Sequence, residues 1–123
     1  MLKLSVLVVL FLAAFASQDT PIPSRPDGFS VGSNTPTLHL EVFYDLLCPD
    51  SRDSFAILQL LLINEYHITT NKTLRFTVHI FPLPYHFHSF LVSQGARVIA
   101  DNSQKAGDIW TYINLIFASQ PVL

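Results

Sequence analysis

Two runs of alternating residues, separated by a helical pattern and stopped by prolines, most constrain what this chain can become. Thr37 to Tyr44 reads Thr-Leu-His-Leu-Glu-Val-Phe-Tyr, which sets Leu38, Leu40 and Val42 on one face of a strand. Leu74 to Phe81 alternates Leu, Phe, Val and Ile with Arg, Thr and His. Pro82-Leu83-Pro84 ends that run, because proline cannot donate to a ladder. Between the runs, Pro49 suits the first turn of a helix, where its missing N–H costs little. Phe55, Leu58, Leu62 and Tyr66 then recur at helical spacing with Leu61 beside them, and the helix is expected to end near His67. Strand, helix and strand form a βαβ unit, expected to be right-handed with parallel strands. Two helices should follow. Phe90, Leu91, Val98 and Ile99 mark one that starts near His88 or Ser89; Ile109, Tyr112, Ile113 and Ile116 mark another over 108–118. The fold class is α/β.

The length suits one small domain with distinct flanks. Lys3, the uncharged apolar run Leu4 to Phe15 and the small-x-small sequence Ala14-Phe15-Ala16 predict a signal peptide over 1–16. The run is shorter than the roughly 20 residues of a transmembrane helix. Residues 17–36 hold Pro21, Pro23, Pro26, Gly28, Gly32 and Pro36, which predict an extended, poorly packed arm. The domain proper is expected over 37–118, with a C-terminal tail over 119–123. A net charge of -2 and the lack of a basic patch argue against nucleic acid or an anionic membrane as partner, and no membrane association is expected after signal cleavage. Secretion, or residence in the secretory-pathway lumen, is the expected localisation. Asn71-Lys72-Thr73 is an N-glycosylation sequon in a polar turn, so Asn71 is expected to carry glycan.

Cys48 is the single cysteine, in a compartment that permits disulfides. It is therefore free, capped by a small thiol, or paired with another chain. It lies where the first strand gives way to the helix. A helix start favours negative charge, and the thiolate is the reactive form of cysteine. Asp45, Asp50 and Asp53 oppose a thiolate there, and Arg52 is the only nearby cation in sequence. Three residues on stands Ser51, whose hydroxyl is no resolving nucleophile against a mixed disulfide. Cys48 is thus the candidate nucleophile of a one-thiol exchange, and Ser51 a candidate hydrogen-bond donor to its sulfur. The plain alternative stays open: a partly buried, inert thiol and a helix-surface hydroxyl. His86 and His88 form His-x-His, and His39 and His79 sit on strands, but no acidic or cysteine cluster completes a zinc set, so no metal is expected. Asp45, Asp50 and Asp53 could hold a cation, although helix-start stabilisation explains the latter two more simply. No Gly-rich phosphate loop or Gly-x-Ser-x-Gly elbow is present, and no cofactor is expected. Trp110, Tyr112 and Phe117 read as helix core, while Phe87 and Phe90 suit either the core or a groove beside Cys48.

The string Phe43-Tyr44-Asp45-Leu46-Leu47-Cys48-Pro49-Asp50-Ser51-Arg52-Asp53, followed by Phe81-Pro82-Leu83-Pro84-Tyr85-His86, resembles the DsbA-type thioredoxin-like proteins. The likeness is to secreted plant and protist members whose motif reads Cys-Pro-Asp-Ser. It covers residues 37–118 and implies a partial thioredoxin-like fold: strand, motif helix, strand, then a helical insertion over 88–118. The family fold continues with a cis-proline loop, an antiparallel strand pair and a last helix. These are not found before Leu123, so the resemblance implies truncation after the insertion and sheet edges open to self-association. The implied function is at most monothiol thiol-disulfide exchange or isomerisation through Cys48, with protein substrates or thiol donors as partners. The alternatives are a non-catalytic protein-binding module and a truncated product without independent activity.

Overall fold

A parallel pairing of the two alternating runs sets the frame. In the computed structural model, which describes residues 27–105 and 107–120, β2 (Leu38–Tyr44) runs parallel to β3 (Leu74–Ile80). Leu40 stands opposite Phe76, Val42 opposite Val78 and Tyr44 opposite Ile80. Strand alternation therefore gathers these six on one face. The crossover is α1 (Pro49–Asn64), and α2 (Ser89–Asn102) and α3 (Asp108–Ser119) follow β3. The fold is mixed α/β, with a three-stranded sheet and three helices among the described residues. None of these helices is long and apolar enough to cross a membrane. The expected signal peptide, the first part of the expected arm and residues 121–123 lie outside the described residues.

The third strand comes from within the expected arm. β1 (Phe29–Gly32) pairs antiparallel with β3, giving the order β1-β3-β2. The arm and domain boundary expected at 36/37 therefore shifts: residues 29–32 are sheet. Four residues are too few for alternation to stand out, and their pairing partner is far away in sequence. Gly32 makes the arrangement feasible, since its φ is +103° and a Cβ there would lie 2.5 Å from the Leu74 carbonyl oxygen.

The core lies between the apolar face of the sheet and the helices. Tyr44 meets Phe55 edge-on at 6.0 Å between ring centroids, Phe55 packs against Phe117 at 5.2 Å, and Phe76 stacks on Trp110 at 6.0 Å. These aromatic contacts tie β2, β3, α1 and α3 into one cluster. Expected core positions Phe55 and Leu62 are buried, but Leu61 and Tyr66 are exposed; Tyr66 falls outside α1, which ends at Asn64 rather than near His67.

α2 departs most from expectation. Its large residues Phe90, Leu91 and Val98 are exposed, whereas Ser89 and Ala96 are buried and Val92 packs on the core. The reason is close helix–helix approach. Gly95 faces the Tyr112 ring so tightly that a Cβ would collide with its hydroxyl, and that hydroxyl donates to the Val92 carbonyl at 2.8 Å. Small residues let α2 and α3 meet at this distance, and the large ones fall outside. α3 follows its periodicity, burying Ile109, Ile113 and Phe117.

Ile113 is 0 % exposed and Leu60 63 % exposed. Ile113→Ala should lower the unfolding free energy by about 3 kcal/mol, and Leu60→Ala should change it by no more than about 0.5 kcal/mol. Denaturant titration of both variants measures the contrast.

Candidate functional site

Residues 45–48 turn the chain from β2 into α1. The Cys48 N–H donates to the Asp45 carbonyl at 3.1 Å, and the Arg52 N–H donates to the Cys48 carbonyl at 3.1 Å. Cys48 is thus the residue that caps α1, with extended backbone at φ -81° and ψ 124°, and Pro49 occupies the first helical turn as expected. The thiol is free and half-buried, and it makes no capping hydrogen bond to the helix N–H groups. From the far end of the chain, Gln120 Nε2 donates to the carbonyls of Leu46 and Cys48, both at 3.1 Å. The end of α3 thereby holds the backbone of the thiol turn.

Asp45 has a different role from the one expected. It is buried, and its carboxylate collects four donors. Oδ1 accepts from the Leu47 N–H at 2.8 Å and from the Ser89 hydroxyl at 2.5 Å. Oδ2 accepts from the Leu83 N–H at 2.7 Å and from His86 Nδ1 at 2.8 Å. Since an ionised carboxylate only accepts, His86 carries its proton on Nδ1. The carboxylate therefore joins the turn after β2, the Pro82-Leu83-Pro84 loop after β3 and the first residue of α2. Burial by itself would push this carboxyl up. The hydrogen bonds from Ser89, Leu47, Leu83 and His86 together outweigh burial and hold it below its ordinary value.

An open cavity of about 270 Å³ lies beside this hub, lined by Leu47, Tyr85, His86, Phe87, His88 and Gln120. Phe87 belongs to this lining and is 91 % exposed; Phe90 is exposed as well, so neither is core. The cavity and the thiol turn share Leu47 and Gln120: one neighbours Cys48 in sequence, the other binds its carbonyl.

The other sequence candidates fall into place separately. Ser51 lies in the first turn of α1, half-buried, and no hydrogen bond joins it to Cys48 among the described residues. Asp50 is in the same turn, while Asp53 is held by Arg52 at 2.8 Å, so the one nearby cation is engaged. Asn71 is half-buried. Its Oδ1 accepts from the Thr73 N–H and hydroxyl, both at 2.7 Å, and its amide donates to the Tyr66 carbonyl at 3.0 Å. Trp110 and Tyr112 pack against the core and Phe117 lies within it. His39 and His79 lie on the sheet face away from the helices: His39 Nε2 contacts the Thr77 hydroxyl at 2.7 Å, and His79 stacks on Phe43 at 4.6 Å. Among the described residues, no group of three or more His, Cys, Asp or Glu is placed to hold a metal ion. Sequence reasoning missed the Asp45 hub and the Gln120 tie. The sole local signal was an aspartate just after a strand; its partners are as much as 44 residues away.

Comparison of the chain with protein-family models, with curated proteins and with solved structures finds no match in any of the three.

Replacing Asp45 by Asn removes the charge and presents an amide N–H₂ to groups that donate, which should cost about 3 kcal/mol. Ser89→Ala should cost about 1–2 kcal/mol, since it removes one charge-assisted bond. The folded carboxyl titrates below the ordinary value of 3.8. The linked stability is therefore complete above that value and lost as pH falls through the folded one. Denaturant midpoints measured down to acidic pH should show this loss in the parent chain and a smaller one in Asp45→Asn.

Proposed function

We propose that this chain is a thioredoxin-like protein of the DsbA type that forms mixed disulfides through Cys48, one thiol at a time. The observation that carries the reading is the placement of a free, half-buried cysteine as the residue capping α1, at the end of a strand parallel to its βαβ partner. The Cys48 thiolate would attack a protein disulfide, form a bond to one sulfur and expel the other as a thiolate. A second, external thiolate would then attack the mixed disulfide and free Cys48. Ser51 offers no internal way out, so the intermediate waits for that second thiol. Such chemistry belongs in an oxidising lumen or outside the cell. The cavity lined by Tyr85, Phe87 and Leu47 suits an apolar stretch of an extended polypeptide near the thiol turn.

A second reading, a binding module without turnover, draws on the exposure of Tyr85 and Phe87 and on Ser51 making no hydrogen bond to Cys48 among the described residues. Turnover separates the two. Ellman's reagent should release one equivalent of thiolate per folded chain and none from Cys48→Ala. The parent chain should retain a trapped mixed disulfide with a model disulfide peptide, and Ser51→Cys should release it. If Cys48 reacts only after denaturation, the exchange reading fails and the binding reading stands.

A further inference from the structure

The sequon Asn71-Lys72-Thr73 lies in the connection from α1 to β3. Asn71 Nδ2 donates to the Tyr66 carbonyl at 3.0 Å, and Oδ1 accepts from the Thr73 N–H and hydroxyl at 2.7 Å and from the Leu74 N–H at 3.2 Å. The Asn71 N–H donates to the His67 carbonyl at 2.9 Å. The Thr73 carbonyl accepts from the N–H groups of Thr37 at 2.8 Å and Leu38 at 2.9 Å, where β2 begins. The triplet is therefore part of the lock that joins α1, β3 and β2. We propose that Asn71 accepts an N-linked oligosaccharide only before this lock closes, and that the lock then closes around the modified side chain.

The chemistry of transfer sets the order. The amide nitrogen bonds to the anomeric carbon of a lipid-linked oligosaccharide pyrophosphate. The carbon's bond to the pyrophosphate oxygen breaks, the lipid pyrophosphate leaves with that electron pair, and one amide proton passes to a base. The nitrogen must lend its lone pair, which a planar amide shares with its carbonyl. Donors on Oδ1 draw charge toward the oxygen and deepen that sharing, while the Tyr66 carbonyl holds the nitrogen's proton. The Thr73 hydroxyl, which completes the sequon, is engaged with Asn71 as well. Presenting the triplet to an enzyme in extended form breaks these bonds and the links from Thr73 to the start of β2.

The reverse order leaves the fold intact. A glycosylated amide keeps its carbonyl oxygen and one N–H, so the same side chain can still meet Thr73, Leu74 and Tyr66 when the turn closes. Lys72 and Thr73 are exposed, which gives the sugar a path to solvent. Because β2 and β3 are parallel, Asn71 lies beside the ends where both strands start, and Cys48 beyond the ends where both finish. Seven residues of β3 separate the two ends by roughly 20 Å, so the glycan is attached at the end of the sheet opposite the thiol turn.

The inference rests on the secretory part of the functional reading, which supplies the sugar donor; purified components keep its test separate from that reading and from thiol exchange. Unglycosylated full chain, either folded or diluted straight from urea, is given to oligosaccharyltransferase with its lipid-linked donor, and the gain in mass is followed over time. The diluted chain should be modified, and the folded chain at least about tenfold more slowly, since it reacts only through opening of the turn. Lys72→Pro should take no sugar in either state, which places the gain at Asn71. Trimmed to one sugar by an endoglycosidase, the modified chain should keep the denaturant midpoint of the unmodified one, whereas Asn71→Ala should lower it. Equal transfer to folded and diluted chain overturns the proposal. So does a chain modified in neither state, or a trimmed chain whose midpoint falls as far as that of Asn71→Ala.

Discussion

Asp45 leaves β2 where the chain must turn into α1, and the four donors that meet its carboxylate come from three separate segments. A buried charge without partners is strongly unfavourable, so each donor is held in place by the cost of losing it. The consequence is geometric. The turn carrying Cys48, the proline loop carrying His86 and the start of α2 cannot move independently while the carboxylate stays ionised. Gln120 adds a second tie from the end of α3. The thiol therefore sits on a backbone tied to three other segments, the proline loop, the start of α2 and the end of α3, although its side chain makes no capping bond.

The sheet is unequal on its two faces. One face is packed under three helices through an aromatic cluster centred on Tyr44, Phe55 and Phe117. The other carries Thr77, His39 and Ser30 in a polar network, with Thr77 buried and bonded to both His39 and Ser30. Along its length, β3 is paired on both sides, with β1 and with β2, and among the described residues β2 is paired with β3 alone.

Legibility followed the range of the interactions. β2, α1, β3 and α3 were readable because their burial repeats at the period of their own backbone. α2 was readable as a helix but not for its buried side. Its contact with α3 selects small residues such as Gly95 and Ala96 for close approach, and hydrophobic bulk at Phe90 and Leu91 pointed the wrong way. β1 was hidden inside a Pro- and Gly-rich stretch, where composition suggested an unpacked arm and pairing to β3 overrode it. Cys48 and Ser51 were visible as residues, and the helix start was placed by Pro49. The hub that holds their turn could not be seen, since no local pattern marks an aspartate whose partners lie 38 to 44 residues away.

By itself, the sequence determined a βαβ unit, a lone cysteine at its strand-to-helix junction and the lack of a second thiol to resolve a disulfide. These follow from side-chain period, proline placement and residue identity, all local in the chain. Only the tertiary structure decided that Asp45 is a structural anchor rather than a charge beside the thiol, and that residues 29–32 join the sheet beside β3. Each of those depends on which distant groups meet, and burial rather than sequence distance sets the energy of such meetings.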